Sequence, residues 1–126
     1  MNIRTVASIY SIAVGTLMVL MWSVLYFSDS IPELLKEPYR IFMHLIGEFT
    51  TAFVLMAGGI GLYWERKWGY NIYLLGTGML IYTLIVSSGY YLQNKNLEFV
   101  GMFVLLFIIT MKLLISFLKL NKEMNI

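Results

Sequence analysis

Residues 39–63 read YRIFMHLIGEFTTAFVLMAGGIGLY, a run that stays apolar for longer than the roughly 20 residues a membrane-crossing helix requires. It carries one glutamate, Glu48, and one histidine, His44, and closes on the glycines Gly58, Gly59 and Gly61. Apolar and polar residues do not alternate along it, which excludes a membrane barrel strand. A chain crossing hydrocarbon must satisfy its backbone N–H and C=O groups internally, and a helix does so within one segment.

Working outward from this stretch, three more such runs occupy residues 5–27, 70–92 and 97–118. The first follows Arg4, as a signal peptide would. Its apolar part far exceeds the approximately 7–15 residues of a signal core, however, and no small-x-small cleavage site follows, so it reads as a retained span. Ser28, Asp29, Ser30 and Pro32 end that helix, and Pro38 suits the start of the next. The connections 28–38, 65–69 and 94–96 are short, with Gly69 and Asn71 marking the turn into the third span. Adjacent helices are therefore expected to be antiparallel. The fold expected is an all-α integral membrane protein, a single transmembrane domain over residues 1–126 built as an up-down-up-down four-helix bundle with no extramembrane domain.

Composition narrows the function. Of the 126 residues 60% are hydrophobic and 13% charged, against about 25% charged in an ordinary soluble domain. The net charge of +2 is divided among the ends of apolar runs, which leaves no continuous basic face for nucleic acid. The chain has no cysteine, hence no disulfide, thiolate metal site or cysteine nucleophile. No catalytic constellation is visible, and an enzyme is the least favoured class.

The scarce charge orients the bundle. Arg4, Arg66, Lys67, Lys112, Lys119 and Lys122 fall on the side shared by both termini and the second loop, while Lys36, Arg40 and Lys95 fall on the other. Basic residues collect on the cytoplasmic side, so both termini are expected there, in a multi-pass protein of the cell membrane. The aromatic belts fit the same boundaries, with Trp22, Tyr26, Tyr39, Tyr90 and Tyr91 near the outer face and Tyr63, Trp64, Trp68, Tyr70 and Tyr73 near the inner one.

Helices associate in lipid through close packing of small residues. Ala7, Ser11 and Gly15 make such a stripe in the first span, Ala57 and Gly61 repeat the spacing in the second, and Gly76, Thr83 and Ser87 share a face of the third. Gly78, Tyr82 and Gly89 share another face of the third. The last span, rich in Phe, Leu, Ile and Met, is expected to pack more loosely.

Ionisable groups within a span are costly, about 2.5–3.5 kcal/mol at the centre on translocon scales, and therefore informative. Glu48 lies roughly 4.5 Å from the midplane and cannot reach either surface. His44 sits one turn earlier on the same face, which Thr51, Gly58 and Leu62 continue. Three readings stand. A neutral Glu48 could hydrogen-bond a hydroxyl such as Thr83, Tyr82 or Ser11 and fix helix register only. Glu48 and His44 could instead anchor a ligand or handle protons in an aromatic and Met-rich cavity, with Thr51, Tyr82 and Thr83 nearby. A metal or haem site is the third reading, but closed zinc sites use four ligands, and bis-histidine haem would need a second chain.

Lys112 lies near enough to the inner boundary for its stem to reach the interface. An ion pair with Glu48 is disfavoured because the two are about 10 Å apart along the axis. The methionines read as gap fillers and not as copper ligands, since only Met18 and Met21 face one way as an M-x-x-M pair.

The stretch from Glu48 to Tyr82, EFTTAFVLMAGGIGLYWERKWGYNIYLLGTGMLIY, resembles the middle of DoxX-like membrane proteins. The matching positions are Glu48, the pair Gly58 and Gly59, and the basic turn Arg66 to Gly69. The glycine-rich start with an intramembrane arginine that marks that family's first helix is missing here. The resemblance implies a small four-helix accessory membrane subunit, linked in some members to quinone-coupled redox systems. From Glu48 and His44 within the bundle, the expected role is a binding or accessory module holding an apolar ligand or partner helix beside them. The alternative is a small proton-coupled transporter or channel acting as a homo-oligomer. No cofactor is assigned, with quinone, lipid and haem the candidates. The partners expected are membrane lipid and either a second copy or a larger membrane complex.

Overall fold

The computed structural model describes residues 2–124, with side chains described for residues 2–119. Lys122, counted above among the inner charges, lies outside the described side chains. The elements are α1 (Ile3–Phe27), α2 (Glu33–Lys36), α3 (Pro38–Tyr63), α4 (Lys67–Gln93) and α5 (Leu97–Met124), with no strand among the described residues. Ile3–Phe27, Pro38–Tyr63, Lys67–Gln93 and Leu97–Lys119 are long and apolar enough to cross a membrane.

Two local features differ from expectation. The four-residue helix α2 breaks the first connection, with Pro32 at its N-cap position and the neighbouring Ile31 buried. Helix α4 starts at Lys67, so Gly69 is not a turn residue but lies inside the first helical turn. The turn is completed earlier, by Glu65 in the left-handed region at φ 58°. What Gly69 supplies is a close approach, because a Cβ there would press on the backbone of Gly61 and Leu62 in α3.

The three long-helix connections open with one device. After α1, α3 and α4 come Asp29, Glu65 and Lys95, with φ 55°, 58° and 60°. In each case the next residue donates its N–H five residues back: Ser30 to Leu25, Arg66 to Gly61 and Asn96 to Tyr91, at 2.8–2.9 Å. This is the Schellman arrangement, which satisfies carbonyls the helix end leaves free.

Helix contacts then follow from small residues. On α1, Ser8 Oγ donates to the Gly59 carbonyl and Ser11 Oγ to that of Leu55, both at 2.5 Å. Numbers rise along α1 as they fall along α3, so the two run antiparallel. Ala7, Ser11 and Gly15 are all buried, and a Cβ added to Gly15 would lie 2.7 Å from the Ala52 carbonyl oxygen. On its other flank α3 meets α4, where a Cβ on Gly58 would come within 2.7 Å of the Tyr73 backbone and one on Gly61 within 2.7 Å of Gly69. Gly76 of α4 packs on Val54 and Leu55. Ala57, expected in this contact, is exposed instead, because the glycines beside it turn toward the two neighbours. Gly78 and Gly89 face open space.

Helix α5 is held differently, by aromatic side chains. Tyr91 stacks on Phe99 and Phe103 at centroid distances of 4.9 and 5.6 Å, and Tyr73 and Tyr70 lie against the fully buried Phe117. Tyr10 of α1 reaches across to α5, its hydroxyl 2.8 Å from Thr110 Oγ1 and donating to the Leu106 carbonyl at 3.1 Å.

Candidate functional site

Glu48 is the one carboxylate buried in the bundle among the described residues, at 5% exposure. It occupies the inward face of α3, where Thr51, Leu55, Gly58 and Leu62 are also buried. Its Oε2 accepts from Trp22 Nε1–H of α1 at 3.3 Å. Its Oε1 lies 3.6 Å from His44 Nε2, one turn away on α3, and is buried without a hydrogen-bond partner. The Trp22 and His44 rings meet edge to face at 5.6 Å and 72°. His44 is one-third exposed, at 34% of its side chain, so the pair spans from the surface of the bundle to its interior.

Buried polar groups nearly always find partners, and one left unmade costs about 1–3 kcal/mol, more for a charged group. Glu48 borders a cleft between α1, α4 and α5 with room of about 40 Å³. One water needs roughly 10–15 Å³ of such room, so the cleft has space for a few waters. The wall is mostly apolar, formed by Leu17, Met18, Met21, Met102 and Phe103, with Thr83 and Ser87 as its hydroxyls. Leu17 is 55% exposed, and there the cleft opens to the outside of the bundle.

The expected site residues divide. Glu48, Thr83 and Ser87 meet at the cleft, and His44 stands behind Glu48. Thr51 and Thr83 spend their hydroxyls on their own helix, donating to Gly47 and Leu80, while Ser11 donates to Leu55. None of the three hydrogen-bonds Glu48. Tyr82 is 70% exposed and does not line the cleft, a correction that follows from its place one residue round the helix from Thr83. Lys112 is exposed on α5 and forms no ion pair with Glu48. The residue missed is Trp22, read above only as part of an aromatic belt. Its depth was a signal: it lies about five residues from the end of α1, His44 about six from the start of α3, and antiparallel neighbours at equal depth meet.

A small all-helical protein with four membrane-length apolar helices around one buried carboxylate is the class that fold and site define. The chain belongs to the family described as Domain of unknown function (DUF8058), which matches residues 1–126. No curated protein and no solved structure matches it.

Proposed function

We propose that the protein is a membrane-embedded binding module whose ligand or partner group enters the cleft beside Glu48. The observation that carries this reading is Glu48, a carboxylate at 5% exposure that lines the cleft and whose Oε1 makes no hydrogen bond. Buried polar atoms nearly always find a partner, protein or water, and an unbonded carboxylate oxygen favours an occupant over a purely register-fixing role. The occupant offers a hydrogen-bond donor or a positive charge to Glu48 and presents apolar or polarisable surface to the methionines. It is an inserted group or a small ligand and not a ring system enclosed on all sides.

In this reading the antiparallel contacts form an up-down-up-down bundle in the cell membrane, with both termini cytoplasmic. The excess of basic residues on the side of the termini supports that orientation. The Arg4–Glu65 ion pair, at 2.6 Å, supports placing the N-terminus and the α3–α4 connection at one membrane face. The DoxX-like resemblance of residues 48–82 extends the role to an accessory subunit of a larger membrane complex. A second reading, proton-coupled transport or conduction, draws on His44, whose partly exposed ring lies 3.6 Å from the buried carboxylate. A proton could pass between them.

The test is native mass spectrometry of the purified chain beside its Glu48→Gln variant. A bound mass retained by the wild type and lost by the variant is expected. If neither retains one, the binding reading fails.

A further inference from the structure

Three methionines from two helices converge on the cleft. Met18 and Met21 come from α1, one turn apart, and Met102 arrives from α5. Met18 and Met102 also pack on the same buried cluster, around Val14, Leu84 and Phe103. The sequence shows only the first pair, because the third partner is brought by the fold. Glu48 of α3 lines the same cleft, and its Oε1 is buried without a hydrogen bond.

From this juxtaposition we propose that the cleft is a binding site for a soft monovalent cation, Cu(I) being the probe of choice, with Met18, Met21 and Met102 as thioether ligands and Glu48 as counter-ion. The inference rests on the binding reading above and names its ligand class.

Ligand chemistry selects the cation. Thioethers are soft, uncharged donors that suit Cu(I) and offer little to hard ions. Calcium takes six to eight oxygen ligands and magnesium a near-octahedral oxygen set, whereas this cleft offers one carboxylate and two hydroxyls. Structural zinc takes four ligands drawn from thiolate, imidazole and carboxylate. Among the described residues no group of three or more His, Asp or Glu could hold a metal. Charge selects the valence, since one carboxylate and one monovalent cation sum to zero in a site where any net charge is costly. The room of about 40 Å³ accommodates a single ion. His44, 3.6 Å from Oε1, is placed to orient the carboxylate from behind.

The experiment uses the full chain, free of any affinity tag, in detergent without oxygen, titrated against Cu(I) held by the chromophoric chelator bicinchoninate. The wild type is expected to withdraw one Cu(I) per chain. Met18→Leu with Met102→Leu, which nearly conserves volume, is expected to weaken binding at least tenfold, as is Glu48→Gln. Met43→Leu, at a residue 67% exposed and away from the cleft, is expected to bind as the wild type does. Copper left entirely on the chelator, or a double variant equal to the wild type, overturns the proposal. X-ray absorption of the wild-type Cu(I) complex keeps the test independent of how the variants fold: sulfur scatterers are expected, and a shell of oxygen and nitrogen alone overturns it. If copper is refused while native mass spectrometry shows an organic mass lost in Glu48→Gln, the cation inference falls and the binding reading stands.

Discussion

Trp22 Nε1–H donates to Glu48 Oε2 at 3.3 Å, joining α1 to α3 through the only hydrogen bond the buried carboxylate makes among the described residues. Oε2 is thereby tied to α1, while Oε1 makes no hydrogen bond and lies 3.6 Å from His44 Nε2.

Replacing Trp22 with Phe keeps an aromatic ring and removes the donor. Glu48 then has no hydrogen bond at all, and the loss is expected to destabilise the detergent-solubilised protein by about 1–3 kcal/mol. Thermal unfolding followed by circular dichroism measures it. A Tm equal to that of the wild type would show that the bond contributes nothing.

Glycines at contacts and glycines in open space are expected to respond oppositely to alanine. Gly69→Ala forces a methyl group against the backbone of Gly61 and Leu62 and is expected to cost about 1–3 kcal/mol. Gly78→Ala meets nothing within 4 Å and is expected to be neutral or to stabilise by up to about 1 kcal/mol through helix propensity. The ordering of the two melting temperatures is the readout, and a reversed order contradicts the packing described.

Lys95 holds a left-handed conformation, φ 60°, at the end of α4. For a non-glycine residue this costs roughly 1–2 kcal/mol, which glycine avoids while giving up part of the gain in unfolded-chain entropy. Lys95→Gly is expected to raise the Tm, with a net gain of about 0.5–1 kcal/mol. Asp29 and Glu65 share the geometry, but Glu65 also pairs with Arg4, so Lys95 is the cleaner site.

The absence of cysteine makes topology directly measurable. In intact cells, Ser30→Cys is expected to react with a membrane-impermeant maleimide, and Lys67→Cys only after the membrane is opened. Both positions are exposed, so accessibility within the bundle does not limit either reaction. The opposite pattern would invert the orientation.

The membrane-length helices were legible because apolar run length is a property of single segments. Glu48 and His44 were legible because an ionisable group in such a run stands out without reference to anything else. Rotation between helices is not written in any one segment. Tyr82 and Thr83 are adjacent in sequence and fall on opposite sides of that choice, one exposed and one at the cleft. Ala57 failed for the same reason, since Gly58 and Gly59 beside it make the contacts. Ser8, whose hydroxyl bonds the Gly59 carbonyl, lies next to the expected Ala7 stripe and was hidden by the choice of a four-residue spacing. Met102 was out of reach of any local pattern, because only the packing of α5 brings it to Met18.

Binding at the cleft requires that Glu48 be reachable from the bilayer. The direct measurement is labelling of the protein in membranes with an apolar carbodiimide, followed by peptide mass spectrometry to locate the modified carboxyl. Glu48 is expected to carry the label, and the Glu48→Gln variant to lose it. Label confined to the loop carboxylates, with Glu48 unmodified in the wild type, would contradict the account and return Glu48 to a purely structural role.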